Sequence, residues 1–308
     1  MPLHQAWLLP ADVVADYRGD QAAGLRRLFG RRQSRVVTFA AGSAGVGKSV
    51  LVANLAASLA RQGKEVLVLD ENTRNNIATC FGAQARHDLH QVINRERTLS
   101  EVLVTVAPGV RVLPAARAVK KLSRLSQGEQ ESLLESITAM EHPADVILVD
   151  ASLDHPLGFS PLGLVAHDTV IVISTSSESI TDAYALIKKV SLGYARKNFR
   201  ILINKVRSSD EARAIHENIA QLTLRRGLAR LEYAGFVPLD EQLRQASRLC
   251  QPVVGLFPDA PAAKAYRKIT SDFLNWPLPE DSEVGGLEQF VQQLLHLSQH
   301  IDPIAIYA

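Results

Sequence analysis

Cysteine is scarce in this chain: its 308 residues contain only Cys80 and Cys250, far apart and without a C-x-x-C pair. The simplest interpretation is a reduced cytosolic protein. Apolar runs long enough to span a bilayer are lacking, and Met1–Pro10 has neither the basic region nor the apolar core of a secretory signal. An excess of one charge is lacking too. The formal net charge is +2, so bulk electrostatics do not predict binding to nucleic acid.

The sequence predicts an α/β domain over residues 35–275. Hydrophobic residues make up 46% of the chain, and the length suits one large domain with appendages or two small domains. Continuous Val/Ile/Leu runs alternate with helical patterns, which indicates strands buried on both faces of a parallel sheet. We therefore expect a doubly wound, mostly parallel sheet flanked by helices. The predicted strands are Arg35–Phe39, Glu65–Leu69, Val110–Leu113, Asp145–Val149, Thr169–Ile173, Arg200–Ile203 and Leu231–Val237.

The spacing G-x-x-x-x-G-K-S occupies residues 42–49, between the first predicted strand and a helical pattern. This context is that of a phosphate-binding loop, and the alternative is an ordinary strand-to-helix turn. The glycines let backbone N–H groups turn toward an anion, and the helix start adds partial positive charge. Lys48 would reach the β- and γ-phosphates, and Ser49 would ligate Mg²⁺. The candidate nucleotide-binding residues of this stretch are Gly42, Ser43, Ala44, Gly45, Val46, Gly47, Lys48, Ser49 and Val50.

Two acidic residues end predicted strands. Asp150 follows four apolar residues, the pattern of a Walker B aspartate, and would hold the Mg²⁺ hydration shell opposite Ser49. The alternative for Asp150 is a plain turn residue. Asp70 ends another predicted strand in the same way, with a role that the pattern leaves open. Because ligands bind at the carboxyl ends of parallel strands, both acids indicate a ligand site at that edge of the sheet.

Residues 1–34 precede the first strand and form a predicted N-terminal tail. A short helix is predicted over Asp20–Phe29, because Asp20 can cap it and apolar residues recur on one face. Such a helix suits either docking onto a partner or packing on its own domain. The basic run Arg26–Arg35 is interpreted as a solvated linker, with contact to anionic lipid or nucleic acid as the alternative.

Residues 276–308 form a predicted linker and C-terminal amphipathic helix. Apolar residues recur there at helical spacing, at Leu287, Phe290, Val291, Leu294 and Leu295. No Lys or Arg follows Lys268, so attraction to anionic lipid is missing and apolar burial alone would drive membrane attachment. We expect either weak membrane association or a helix packed on the domain or on a partner.

Several stretches resemble the FlhG/FleN (YlxH) flagellar-number regulators, a bacterial group of dimerising P-loop ATPases of the MinD/ParA family. The phosphate loop followed by Leu69–Asn72 and Val149–Asp150 is similar to the MinD/ParA family as a whole. Two narrower motifs are similar to the FlhG/FleN group: S-I-T-D-A-Y-A-L-I-K at Ser179–Lys188 and D-Q-A-x-x-L-R at Asp20–Arg26. The resemblance covers roughly residues 20–270.

This resemblance implies partners and further site residues. In the group, the tail element stimulates FlhF, a signal-recognition-type GTPase, with a glutamine near the partner's nucleotide; the matching residues here are Asp20, Gln21, Leu25 and Arg26. The positions that contact the adenine base are matched by Asn204, Pro238 and Asp240. ATP or ADP with Mg²⁺, an ATP-dependent homodimer, flagellar transcription regulators and switch-complex proteins are implied as well. The implied location is the cytoplasm, peripheral to the membrane or at a cell pole.

The chain also departs from the family pattern at two chemically important positions. Ser43 stands where the family has a lysine that reaches the other subunit's phosphates, and Asn72 replaces the second aspartate of D-x-D, which helps to place the attacking water. Loss of a base-like carboxylate lowers a rate on the order of 10²–10⁴-fold, and loss of a cation on the transferred phosphate on the order of 10³–10⁵-fold. With Lys48, Asp70 and Asn72 as catalytic candidates, we expect nucleotide binding with weak or absent hydrolysis.

Three functions remain as alternatives. One is a working ATPase switch that is reset by hydrolysis. The second is a nucleotide-bound scaffold or antiactivator, which Ser43 and Asn72 favour. The third is a ParA-like DNA segregator. The near-neutral charge and the lack of a basic C-terminal helix argue against this third function, and we expect no direct contact with nucleic acid.

Overall fold

The computed structural model describes residues 34–73, 76–139, 144–153, 160–277 and 291–296. Eight strands of this part of the chain form one sheet. They are β1 Arg35–Ala40, β2 Val66–Asp70, β3 Val104–Ala107, β4 Val110–Pro114, β5 Val146–Asp150, β6 Asp168–Ser174, β7 Asn198–Val206 and β8 Arg230–Pro238.

Helices connect these strands and cover both faces of the sheet. They are α1 Lys48–Ala60, α2 Leu89–Ile93, α3 Leu99–Val102, α4 Gln127–Thr138, α5 Pro161–Val165, α6 Ser177–Tyr194, α7 Ser209–Arg225, α8 Glu241–Arg248, α9 Val253–Leu256 and α10 Pro261–Leu274. Several begin at a capping side chain that accepts a hydrogen bond from a backbone N–H. Ser176, Ser208 and Asp240 cap α6, α7 and α8 in this way.

The sheet order is β3-β4-β2-β5-β1-β6-β7-β8, and every neighbouring pair except β3–β4 is parallel. This arrangement confirms the predicted doubly wound, mostly parallel sheet. All seven predicted strands are present, with slightly different ends. The sequence pattern did not predict β3, which is short, only partly buried and antiparallel to β4. Its signal was the Pro108–Gly109 turn, in which Gly109 has φ 74°.

Alternating side chains of the buried strands divide the core between the two faces of the sheet. On one face, Val37 and Phe39 of β1 pack in a cluster with residues of α1 and α10. On the opposite face, Val36 packs in a cluster with residues of α2 and α4. Further along that opposite face, β6 and β7 form a third cluster with α6 and α7. The continuous apolar runs of the sequence follow from this burial on both sides.

The helical residues 291–296 pack on the second face of the sheet. Val291, Leu294 and Leu295 are 5%, 3% and 4% exposed, and they lie in the cluster that α2, α4 and α5 share. Of the alternatives predicted for this helix, the structure has the one in which it packs on its own domain. In this conformation the three residues do not face a lipid surface, and Phe290 lies outside the described residues. Among the residues described, no helix combines the length and the apolar character that crossing a membrane requires.

The connections that leave β1 and β5 run in opposite directions along the sheet. After β1 the chain passes through α1 to reach β2, and after β5 it passes through α5 to reach β6. The two strands are neighbours, with Phe39 paired to Asp150 at their carboxyl ends. A crevice therefore opens between them, and such switch points are where ligands bind in open α/β sheets.

A charged cluster closes the opposite, amino-terminal edge of the sheet. Arg35 and Arg200 both donate to Asp168, at 2.9 Å each, and the three side chains are at most 13% exposed. Arg35 also donates to the carbonyl oxygens of Trp276 and Pro277, at 2.7 and 3.1 Å. The guanidinium of Arg200 lies 4.1 Å from the centre of the Trp276 ring. This cluster anchors the chain after α10 to the beginning of β1.

We predict that Asp168→Asn destabilises the fold by about 2 kcal/mol, because two largely buried guanidinium groups lose the carboxylate that they share, although Arg200 keeps its ion pair with Glu232 at 2.6 Å. Urea unfolding followed by circular dichroism measures this change. The matched control is Asp272→Asn at the exposed pair with Lys268, at 3.8 Å, where we expect little change. Equal effects of the two substitutions would contradict the role given to the cluster.

Candidate nucleotide-binding site

The predicted phosphate loop lies at the switch point, between β1 and α1. Gly45 and Gly47 have φ 77° and 88°, a backbone conformation that glycine adopts without strain. Gly47 is the N-cap of α1, so no side chain satisfies the first N–H groups of the helix. These groups and the helix dipole are suited to bind an anion. The loop therefore has the backbone geometry that phosphate binding requires.

Two loop glycines are needed because neighbouring elements approach closely. A Cβ on Gly42 would lie 2.2 Å from the backbone carbon of Asp182 in α6, and a Cβ on Gly47 would lie 2.8 Å from Nδ2 of Asn204. The same Asn204 nitrogen donates to the carbonyl oxygen of Val46 at 2.8 Å. The segment Ser179–Lys188, which is similar to the FlhG/FleN group, thus packs against the phosphate loop at Gly42, through the backbone of Asp182.

Asp150 is the centre of the hydrogen-bond network beside the loop. It is 0% exposed, and its carboxylate accepts hydrogen bonds from Lys48, from Ser49 at 2.7 Å and from the Asn72 amide at 2.8 Å. Its partner in the sheet register is Asp70 on β2. Predicted residues from three separate parts of the chain therefore converge on one carboxylate.

Ser49 and Asp150, which we call the magnesium corner, have the chemistry to hold a magnesium ion together with phosphates. Ser49 and Asp150 present a hydroxyl and a carboxylate oxygen 2.7 Å apart, and both are hard oxygen ligands of the kind Mg²⁺ prefers. Mg²⁺ in nucleotide sites takes few protein ligands, since phosphates and water supply the others. The structure thus brings the predicted pair together, and its binding of Mg²⁺ stays a prediction.

Asp70 and Asn72 organise the turn that follows β2. Asp70 accepts from the Asn72 backbone N–H at 2.9 Å and from the Ile77 N–H at 2.5 Å. Burial, reinforced by the nearby charge of Asp150, raises the pKa of Asp70 to about 6. Asn72 donates its amide to Asp150 and also to Asp70, at 3.1 Å. In this arrangement Asn72 acts as a hydrogen-bond donor, which an aspartate at that position could not do.

Two charged residues of this region, Glu71 and Lys205, were not predicted from the sequence. Glu71 is 3% exposed, and burial raises its pKa to about 7. Lys205, at φ 61°, donates its side chain to the carbonyl oxygen of Gly45 at 2.6 Å. Two features of the sequence could have indicated them. Glu71 is a charged residue between Asp70 and Asn72, and Lys205 interrupts an apolar strand directly after Asn204.

A cavity of about 360 Å³ adjoins the phosphate loop on the side of β7 and β8. The predicted residues Gly47, Val50, Asn204, Pro238 and Asp240 line it, together with Leu239, Leu243, Arg244 and Tyr266, among others. Its position next to the start of α1 suits the base and sugar of a nucleotide whose phosphates occupy the loop.

Asp240 has a structural role in addition to lining this cavity. One carboxylate oxygen accepts from the Gln242 and Leu243 N–H groups, at 2.8 and 3.3 Å, and the other accepts from the Ala262 N–H at 2.8 Å. The carboxylate thus caps α8 and ties it to the start of α10. Contact of Asp240 with an adenine base stays a prediction. The predicted partner-binding residues Asp20, Gln21, Leu25 and Arg26 lie outside the described part of the chain.

A glycine-rich phosphate loop at the switch point, with a strand-end aspartate beside it, defines a P-loop nucleotide-binding protein. The family described as the CobQ/CobB/MinD/ParA nucleotide binding domain, CbiA, matches residues 37–253, and the chain belongs to this family.

Two curated relatives lie within the group that the motifs resemble. Antiactivator FleN from Pseudomonas aeruginosa is 31% identical over 264 residues, which cover 85% of this chain and 93% of FleN. Flagellum site-determining protein YlxH from Helicobacter pylori is 27% identical over 220 residues, 70% of this chain and 73% of YlxH. They confirm the similarity to the FlhG/FleN group.

A solved structure, the septum site-determining protein MinD complexed with Mg-ADP from Pyrococcus horikoshii, is similar in fold. The TM-score is 0.58 at 20% identity, and the match covers 79% of this chain and 96% of MinD. At this identity the likeness supports the fold alone.

We predict that Gly42→Ala destabilises the protein by at least about 2 kcal/mol, because the new methyl group meets the backbone of α6 and the packing must shift. The measurement is the free energy of unfolding in urea. Gly128→Ala is the matched control: a Cβ there meets nothing within 4 Å, and inside α4 alanine raises helix stability by up to about 1 kcal/mol. A Gly42→Ala protein as stable as the control would show that the loop does not need this close approach.

Proposed function

We propose that this chain is a MinD-like, ATP-binding regulator of flagellar number or placement, which acts on an FlhF-type GTPase and on flagellar regulators. The observation that carries the proposal is the convergence of Lys48, Ser49 and Asn72 on the buried Asp150 beside the phosphate loop. The similarity to FleN, named an antiactivator, and to YlxH, named a flagellum site-determining protein, supports the regulatory part.

The proposed ligand is ATP or ADP with Mg²⁺. Lys48 would contact the β- and γ-phosphates, and Ser49 and Asp150 would hold the metal and its water. Bound Mg²⁺ would supply positive charge to the phosphate oxygens. Asn204, Pro238 and Asp240 line the cavity where the base would lie. The matched family model, described as a nucleotide binding domain, supports this assignment.

Hydrolysis by this site is proposed to be weak. The amide of Asn72 donates to Asp150, and an amide cannot polarise water with a negative charge as a carboxylate does. Ser43 brings no positive charge to the loop. The same observations favour a second candidate function, a nucleotide-bound scaffold or antiactivator that does not hydrolyse ATP. In either case an ATP-dependent homodimer and a cytoplasmic location, peripheral to the membrane or at a pole, belong to the proposal.

The first test is binding and single-turnover conversion of ATP by the purified chain. We expect measurable affinity for ATP and ADP, with slow or no conversion. Lys48→Ala should lower affinity by at least about tenfold, because a hydrogen bond from a charged group contributes about 1.5–3 kcal/mol. Calorimetry measures the affinity, and rapid quenching followed by separation of ADP measures conversion.

The matched control is Lys120→Ala, at an exposed lysine outside the loop, and circular dichroism checks that both variants fold. Unchanged affinity in Lys48→Ala would disprove the site. Fast conversion by the wild-type chain that Lys48→Ala abolishes would contradict weak hydrolysis and restore the ATPase switch.

The partner proposal rests on the tail element with Asp20, Gln21, Leu25 and Arg26. We expect the full chain to accelerate GTP hydrolysis by an FlhF-type GTPase, and Gln21→Ala to lose most of that acceleration, since a glutamine can position the attacking water. Phosphate release measures the rate. Gln5→Ala, in the same tail but outside the element, should keep the acceleration. Equal activity of the two variants would remove Gln21 from the mechanism.

A further inference from the structure

Glu71 makes a set of contacts that the nucleotide site described above does not use. It lies between Asp70 and Asn72, directly after β2, and it is 3% exposed. One carboxylate oxygen accepts from the Ser152 backbone N–H at 2.9 Å, and the other accepts from the Ser160 hydroxyl. Its own backbone N–H donates to the Asp150 carbonyl oxygen at 3.2 Å. Both carboxylate oxygens therefore have a donor within the protein.

These partners belong to the two described ends of the connection between β5 and α5. Ser152 lies two residues after Asp150. Ser160 is the N-cap of α5, where its hydroxyl oxygen accepts from the Gly163 N–H at 3.4 Å, and it is 0% exposed. A single side chain on β2 thus joins the end of β5 to the start of α5.

We propose that Glu71 is a positioning residue for the magnesium corner: its carboxylate, bound to Ser152 and Ser160, holds the end of β5 so that Asp150 faces Ser49. This inference rests on the proposed nucleotide function. Glu71 itself is not a candidate base for attacking water, because both of its oxygens accept hydrogen bonds from protein groups.

The burial of this contact set supports the role. Glu71 is 3% exposed and Ser160 is 0% exposed, so water does not replace the hydrogen bond between them. Without Glu71 the buried Ser160 hydroxyl would lose its acceptor, which favours a local shift between the start of α5 and the end of β5.

The test measures ADP affinity of the full chain twice, with Mg²⁺ and with a chelator, and takes the ratio as the magnesium effect. We expect Glu71→Ala to lower the magnesium effect by about tenfold and to leave the affinity without Mg²⁺ nearly unchanged, because Lys48 and the loop amides supply that part. A loss of global stability alone would not change this ratio.

Four further variants keep the test decisive if Glu71→Ala folds poorly. Glu71→Gln should retain most of the magnesium effect, since its amide oxygen can still accept from Ser152 and its NH₂ can donate to Ser160. Ser160→Ala should reduce the effect in the same direction as Glu71→Ala, and the double substitution should add little further loss. Glu131→Ala, at an exposed position of α4, is the control without effect.

A magnesium effect in Ser160→Ala and Glu71→Ala equal to that of the wild type would overturn the positioning role while nucleotide binding stands. An equal loss of affinity with and without Mg²⁺ would overturn it too, because the defect would then be general. A wild-type chain that binds ADP without any magnesium effect would also overturn it. A wild-type chain that binds no nucleotide would instead remove the proposed function.

Discussion

A buried carboxylate holds the functional edge of this protein together. Asp150 is 0% exposed and ends a central strand. Removing an ionised carboxylate from water costs several kcal/mol unless partners replace the water. Here Lys48 and Ser49 from the start of α1, and Asn72 from the turn after β2, supply them. The requirement to satisfy one charge thus draws the phosphate loop and two strand ends to a common point.

The two edges of the sheet have separate roles. The carboxyl edge carries the nucleotide site, whereas the amino edge carries the cluster of Arg35, Asp168 and Arg200. That cluster also binds the carbonyl oxygens of Trp276 and Pro277. Residue 34, where the N-terminal tail joins the domain, therefore lies on the side opposite the phosphate loop.

The substitutions at the D-x-D position form a consistent set in three dimensions. Asn72 donates to Asp150 and Asp70 where a carboxylate would repel them. Glu71 restores a carboxylate one residue earlier, but it is buried and bound to Ser152 and Ser160. The Glu71 carboxylate therefore contacts two chain segments. The proposal of weak hydrolysis rests on the amide of Asn72 at the position beside Asp150.

The sequence by itself determined the sheet, because buried parallel strands need unbroken apolar runs. It also determined the identity of the phosphate loop, because such a loop needs its glycines, Lys48 and Ser49 at fixed spacing. It did not reveal β3, which is too short and too exposed for a clear pattern, or the burial of Val291, Leu294 and Leu295 on α2 and α4. Only the tertiary structure decided which residues satisfy Asp150 and Glu71, and that Asp240 reaches Ala262. These partners lie far away in sequence, and hydrogen bonds between distant segments leave no periodic signal in a single chain.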